Sequence, residues 1–256
     1  YSLWIGNKEG NVIKSTLFQN EEKEWIPTRK LIGNFFWDVN ENNQITYNKT
    51  GLNLDSSEDS APFVRNFIRV IKHKNKQFPK TDNKAETAVL LSYELSRNGN
   101  CLIFCSQARY TKTVAKAMLK FFSFLDKAGI DITESFKINK STESYFYAEQ
   151  WYGSDSHITK CIERGVGVHF GDMAENVRKA VEEDYKHGRL KILISTNTIG
   201  QGLNFPIKNI IFHSVIISAD KKGNIEKILI RDFWNIVGRA GRAGKETEGQ
   251  IIFLIN

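Results

Sequence analysis

The sequence predicts an α/β fold, a parallel sheet with helices on both faces, preceded by an extension rich in β-hairpins. Three observations predict it. Beyond residue 80, short apolar runs alternate with amphipathic stretches in the order strand, helix, strand, helix. Those runs, at 101–105 and 166–170 for example, are apolar rather than alternating, as strands covered on both faces should be. Before residue 80 the texture differs. Nine asparagines fall within residues 1–60 and three of the four prolines (Pro27, Pro62, Pro79) precede position 80, a composition that favours turns. The chain therefore divides into 1–80, an extension or linker with hairpins and one short helix, and 81–256, the α/β domain.

In chain order, the extension offers two hairpins. Leu3, Trp4 and Ile5 face Val12 and Ile13 across the turn Asn7-Lys8-Glu9-Gly10. Phe35, Phe36 and Trp37 face Ile45, Thr46 and Tyr47 across Asn40-Glu41-Asn42-Asn43. Residues 49–60 read as an exposed loop, and the spacing Phe63, Phe67, Ile71 predicts a short helix. Residues 85–95 predict a helix stopped by Asn98-Gly99. The apolar run 101–105 is a buried strand, followed by a helix carrying Val114, Met118, Phe121 and Phe122 on one stripe. Ser106, just before it, reads as an N-cap. The strand 166–170 runs into Gly171-Asp172, where Asp172 and Glu175 resemble a capping box for a helix ending near His187. Residues 191–194 and 210–217 are further strands, 231–238 a short helix and 250–255 a last strand.

Charge and cysteine usage narrow the function classes. Lys+Arg 36 against Asp+Glu 29 leaves a net charge of +7, which suits an anionic partner such as nucleic acid. The longest apolar runs, 251–255 among them, are about five residues against the ~20 of a membrane span, so no membrane partner is expected. Cys101, Cys105 and Cys161 form no CxxC pair and read as reduced core residues of a cytoplasmic protein. None of the five histidines has a partner at metal-ligand spacing, so no metal site is expected. The chain opens on Tyr1 and carries no signal-peptide pattern, so it is expected to be a piece of a longer protein.

In a sheet of this kind, ligands bind at the loops leaving the carboxyl ends of the strands. The strongest stretch there is Gly238-Arg239-Ala240-Gly241-Arg242. A guanidinium presents a fixed fork of donors that suits phosphate oxygens, and a glycine before each arginine lets the backbone come close to a ligand. The plainer reading is a basic loop paired to surface carboxylates. Its place after an apolar helix, downstream of the other loops, favours phosphate. Second is Ser195-Thr196-Asn197-Thr198, four small polar residues directly after a buried strand, with Gly202 and Asn204 following. Its plainer reading is a crossover with capping residues. Ser106 and Gly171-Asp172 are weak signals alone. No GxxxxGK[ST] is present: Gly244-Lys245 has Arg239 where the first Gly belongs and Glu246 where Ser or Thr belongs.

Together these stretches resemble the second RecA-like domain, of P-loop NTPase type, of the superfamily 2 ATP-dependent helicases. Leu102 through Ser106 resembles motif IV, and Val168-His169-Phe170-Gly171 with Arg178 the segment that follows it. Ser195-Thr196-Asn197 through Gly202-Leu203-Asn204 is similar to motif V, and Asn235 through Arg242 to motif VI, usually QxxGRxGR. The form GRAGR, with Gly202-Leu203-Asn204-Phe205-Pro206 upstream, is most similar to the superkiller-like and repair-helicase branch of the DExH group. The resemblance spans about 85–256, and Asn235 stands where that motif opens on Gln, one methylene shorter.

The resemblance implies a motor domain that closes onto a first RecA-like domain, which holds most of the ATP and Mg²⁺. It implies Arg239 and Arg242 as catalytic arginine fingers, and Gly202, Asn204 and Asn235 as ATP-binding. It implies Ser106, Gly171, Thr196 and Asn197 as contacts to the backbone of single-stranded DNA or RNA. The chain alone is expected not to hydrolyse ATP. The alternative is a non-catalytic, helicase-like scaffold that binds nucleic acid. Both arginines argue against it, because a clamp needs no arginine finger. A third reading is a translocase that separates no strands, the separating element being expected outside this chain.

Overall fold

Residues 29–35, 44–48, 63–67, 70–80, 82–200, 207–219, 224–241 and 248–254 are described by the structure, a computed structural model. The first part holds β1 (Arg29–Phe35), β2 (Gln44–Asn48), β3 (Phe63–Phe67), β4 (Ile71–His73) and β5 (Lys76–Phe78). Then come α1 (Lys84–Leu95), β6 (Cys101–Phe104), α2 (Ala108–Ala128), α3 (Glu143–Tyr152), α4 (His157–Ile162), β7 (Val166–His169), α5 (Glu175–Lys186) and β8 (Ile192–Ser195). A 3₁₀ turn at Asn197–Gly200 follows, then β9 (Asn209–Phe212), β10 (Ile216–Ala219), β11 (Ile225–Lys227), α6 (Ile230–Val237) and β12 (Glu248–Leu254).

The main sheet has the order β3-β2-β1-β12-β9-β6-β8-β7. Every pairing from β1 across to β7 is parallel, and β2 and β3 add two antiparallel strands at one edge. All four residues of β6, β7, β8 and β9 are buried, which is why their sequences are mostly apolar, with polar residues only at strand ends (His169, Ser195, Asn209). The crossover from β6 to β7 steps over β8, and the next one steps back. Right-handed connections therefore put α2 and α5 on opposite faces, while α3 packs against α5. Helix α2 buries Val114, Met118, Phe121, Phe122 and Leu125 on the expected stripe. It ends at Gly129, whose φ of 64° a side chain would resist, with Ile130 N–H returning to Leu125 O at 3.1 Å. Phe78 and Tyr93 stack on Phe121 at 4.9 and 5.0 Å, joining β5, α1 and α2 in one aromatic core. All three cysteines are buried and unpaired, and burial pushes their thiols well above the ordinary range.

Several elements differ from expectation. Phe63, Phe67 and Ile71 lie on strands β3 and β4, where a helix was expected, because a spacing of four fits a strand's period of two as well as a helical turn. Tyr47 and Phe63 pair across β2 and β3. The run 210–217 splits into β9 and β10, and α3, α4 and β11 carry no signal that the expectations used. Helix α5 begins at Glu175 with Ala174 as N-cap and no side-chain cap, so Asp172 stands too early for a capping box. Gln107, not Ser106, is the N-cap of α2. The hairpin of Phe35 with Ile45 is present, the two residues pairing directly. Its turn, the hairpin at 3–13 and the loop 49–60 lie outside the described residues. Strand β1 joins β12 in parallel from Arg29↔Glu248 to Phe35↔Leu254, so the sheet runs across the expected boundary at residue 80.

Candidate functional site

Four strands end together at one edge. Cys105 N–H donates to Ser195 O at 2.8 Å, Thr196 N–H to His169 O at 3.2 Å and His213 N–H to Phe104 O at 3.0 Å. These bonds continue the sheet by one residue beyond β6, β8 and β9, so the loops at Ser106, Gly171, Asn197 and Ser214 leave side by side. Connections from β6 and β8 depart in opposite directions, the switch in topology beside which open α/β sheets bind ligands.

At the β7–β8 side, Gly171 and Asn197 are exposed and Thr198 is half-buried. A Cβ on Gly171 would meet Thr198 Cγ2 at 3.4 Å, an ordinary contact, so the two loops lie side by side. Thr196 sits one layer down: it is buried, its amide serves His169 O, and its hydroxyl lies 3.1 Å from that of Thr198. Beneath both is His169, 1% exposed. Its Nε2 is 2.7 Å from Glu182 Oε1 on α5, and its Nδ1 is 3.3 Å from Ser195 Oγ and 3.2 Å from Thr198 Oγ1. The Ser195 hydroxyl also donates to Thr196 O at 2.9 Å. Ser106 is half-buried, and its hydroxyl donates to Ile216 O at 2.5 Å, where it pins the start of β10.

At the other side, α6 packs against the Asn197–Gly200 turn. Asn235 is exposed on that helix, and Arg239, two residues past its end, is half-buried. The backbone around Arg239 is tightly fixed. Arg239 N–H donates to Ile236 O at 3.0 Å, Ala240 bridges to Ile207, and Gly241 N–H donates to Ile207 O at 2.9 Å with φ of 61°. Ile207 thus holds the arginine turn, and α6 ahead of it holds the Asn197–Gly200 turn. Gly202, Asn204 and Arg242 lie outside the described residues.

The donors at this edge are guanidinium, amide and hydroxyl groups, which suit phosphate oxygens. Among the described residues no three His, Cys, Asp or Glu side chains gather around a metal position. Burial, helped by the positive charge of Lys84, lowers His213 at the end of β9 to about 4, so it adds no charge at neutral pH. A cleft of about 790 Å³ opens next to Gly171 between α3 and α5, lined by Trp151, Tyr152, Asp172, Met173 and Glu175 among others. Glu175 there is paired to Lys179 at 2.7 Å, which also lines the cleft. The contact of His169 with Glu182 was not legible: it joins a strand to a helix 13 residues on, and no local pattern marks such a pair.

Comparison with known proteins agrees with this geometry. Residues 130–244 match the helicase conserved C-terminal domain family. The Hachiman protein HamB of Bacillus cereus is 24% identical over 270 residues, covering 100% of this chain and 21% of its own length. The ATP-dependent DNA helicase Hel308 of Methanococcus vannielii is 28% identical over 256 residues, covering 99% of this chain and 30% of its own. The helicase POLQ-like of Caenorhabditis elegans is 25% identical over 166 residues, 65% of this chain and 17% of its own. The chain thus spans less than a third of the length of each of these relatives. It carries a helicase C-terminal domain, distantly homologous to superfamily 2 DNA helicases of the Hel308 and POLQ-like kind.

Proposed function

We propose that this chain is the second motor domain of an ATP-dependent helicase, acting on single-stranded nucleic acid together with a first RecA-like domain of the same protein. Arg239 and Arg242 reach the γ-phosphate of ATP held mainly by that first domain, with Gly202, Asn204 and Asn235 beside the nucleotide. Mg²⁺ belongs to the first domain's carboxylates; the donor set of this edge is built for anions. Gly171, Asn197 and Thr198 meet the strand backbone, with Thr196 one layer beneath and Ser106 holding the adjacent loop. Phosphate contacts carry no sequence information, which suits a motor that moves along a strand. One of the relatives is named a DNA helicase, which favours DNA as the track.

The observation that carries this reading is that α6, which leads into the Arg239 turn, packs against the Asn197–Gly200 turn after β8. A change at the nucleotide is thereby transmitted to the strand grip through the packing of α6 on the Asn197–Gly200 turn. Phosphoryl transfer is accelerated by positioned positive charge, and an arginine finger contributes roughly 10³–10⁵ in turnover. The test measures ATP turnover of the intact protein, with and without oligonucleotide, beside strand binding by this chain alone. Strand-stimulated turnover that requires Arg239, with salt-sensitive and sequence-indifferent binding by the chain, is expected. Strand binding without any ATP turnover in the intact protein would favour the non-catalytic scaffold.

A further inference from the structure

We infer that the cleft between α3 and α5 is a base subsite: a nucleobase of the bound strand stacks there on Trp151, while the backbone beside it stays on the Gly171 loop. The inference rests on the strand grip proposed above and adds to it a subsite and the chemistry of what fills it.

The course of α3 brings an aromatic wall to the ligand edge. This helix packs along α5 in the opposite direction. At its start, Ser144 N–H donates to Asp184, near the end of α5, at 2.9 Å. At its finish, the Tyr152 hydroxyl accepts from Ala174 N–H at 3.0 Å, just before α5 begins. Helix α5 starts from the loop leaving β7, so the last turn of α3 rises to the edge where Gly171 and Asn197 are exposed. There Trp151 and Tyr152, from α3, face Asp172, Met173 and Glu175 across the cleft. Asp172 follows Gly171 directly, so the cleft opens one residue from the proposed phosphate contact.

The lining selects which part of a nucleotide enters. Trp151 is 61% exposed and presents a flat π surface. Tyr152 beside it is half-buried and held by its hydroxyl, and Met173 is buried. The pairing of Glu175 with Lys179 at 2.7 Å balances those two charges and leaves Asp172 to set the sign of the lining. A phosphate is therefore turned away toward the hydroxyls and amides of the neighbouring loops. An uncharged base is welcome: its face stacks on the indole, and its N–H edges suit a carboxylate acceptor. At about 790 Å³ the cleft has room for such a ring. Every base has a π face, so this contact keeps the grip indifferent to sequence. Position favours a base over the apolar side chain of a protein partner. A strand held at Gly171 carries its bases with it, and one of them reaches the adjoining cleft without a separate encounter.

The experiment measures fluorescence anisotropy of two labelled strands of equal length with this chain, one of thymidines and one whose sugars carry no bases. The parent chain should hold the thymidine strand more tightly. Trp151→Ala should weaken that strand by about 5- to 100-fold, the worth of one stacked base, and leave the abasic strand unchanged. The abasic strand thereby also checks that the variant is folded. Trp151→Phe, with a smaller ring, should recover part of the loss. Thymidine affinity unchanged in Trp151→Ala overturns the inference, leaves the strand grip standing and makes a protein contact the remaining reading of that wall. Equal losses on both strands also overturn it, because the indole then serves the fold or the backbone. A parent chain that binds neither strand removes the grip and the subsite together.

Discussion

Gly249 in β12 lies so close beneath Ala240 that a Cβ on the glycine would fall 2.5 Å from the Ala240 carbonyl carbon and 2.6 Å from Gly241 N. The far atoms are backbone, so they cannot swing aside. The last strand therefore seats the arginine turn directly, and the sheet sets where Arg239 stands.

Gly249→Ala should consequently disturb the turn more than the fold. Overpacking a close site costs about 1–3 kcal/mol. An unfolding free energy lowered by that amount, measured by urea denaturation, is expected, together with a loss of ATP turnover in the intact protein larger than the loss of stability explains. A variant with parental stability and turnover would show that the turn relaxes freely.

Asp184 offers a second test, of the frame behind the site. Its carboxylate, 1% exposed, accepts from Ser144 N at 2.9 Å and from Arg189 Nε at 2.5 Å, tying the start of α3 to the end of α5. Removing it strands a buried amide and loosens a guanidinium. Asp184→Ala should cost about 3 kcal/mol. Asp184→Asn, which retains one acceptor, should cost less, and chemical denaturation of both variants measures the difference.

His213 makes stability depend on pH. The unfolded chain's imidazole takes its proton near the ordinary 6.5, whereas the folded one, buried and facing the charge of Lys84, waits until about 4. Below 6.5 the unfolded state thus binds more protons, so this group's contribution is complete above 6.5 and is lost as pH falls toward 4. At about 1.4 kcal/mol per unit, the loss is on the order of 3 kcal/mol. His213→Phe, which can still pack on Tyr110, 5.4 Å away, should flatten that window. Melting curves of both chains from pH 4 to 7 provide the check.

The parallel half of the fold was legible because burial on both faces writes itself into sequence. The four-residue strands β6 to β9 are largely apolar, with polar residues only at their ends, and Asn98-Gly99 stands just past the end of α1 as a stop signal should. What stayed hidden depends on partners distant in sequence. Phe63 and Phe67 are strand residues only because β2 lies beside them. Ser106 looks like a cap until β10 brings Ile216 O to its hydroxyl. The site was legible as loops in order, while its depth was not. Thr196 reads as a surface hydroxyl, yet it is buried beside Thr198, and the contact of His169 with Glu182 exists only once α5 stands beside β7.

Arg239 carries the most direct test of the proposed chemistry. The transferred phosphoryl group spreads charge over its equatorial oxygens, so a guanidinium placed there stabilises the transition state more than bound ATP. In the intact protein Arg239→Ala should therefore lower kcat by roughly 10³-fold or more with a smaller change in nucleotide Kd. Arg239→Lys should recover little, since an ammonium is a point charge without the planar fork. The competing account is structural: Arg239 is half-buried, on a turn held by Ile207 and Ile236, and its loss could simply unseat that turn. The two accounts separate when kcat, nucleotide Kd and Tm are measured on the same variants. A catalytic arginine gives a collapsed kcat at nearly parental Tm. A structural one gives a lowered Tm, with turnover falling only in step, and Lys, which preserves the stem and the charge, then restores both.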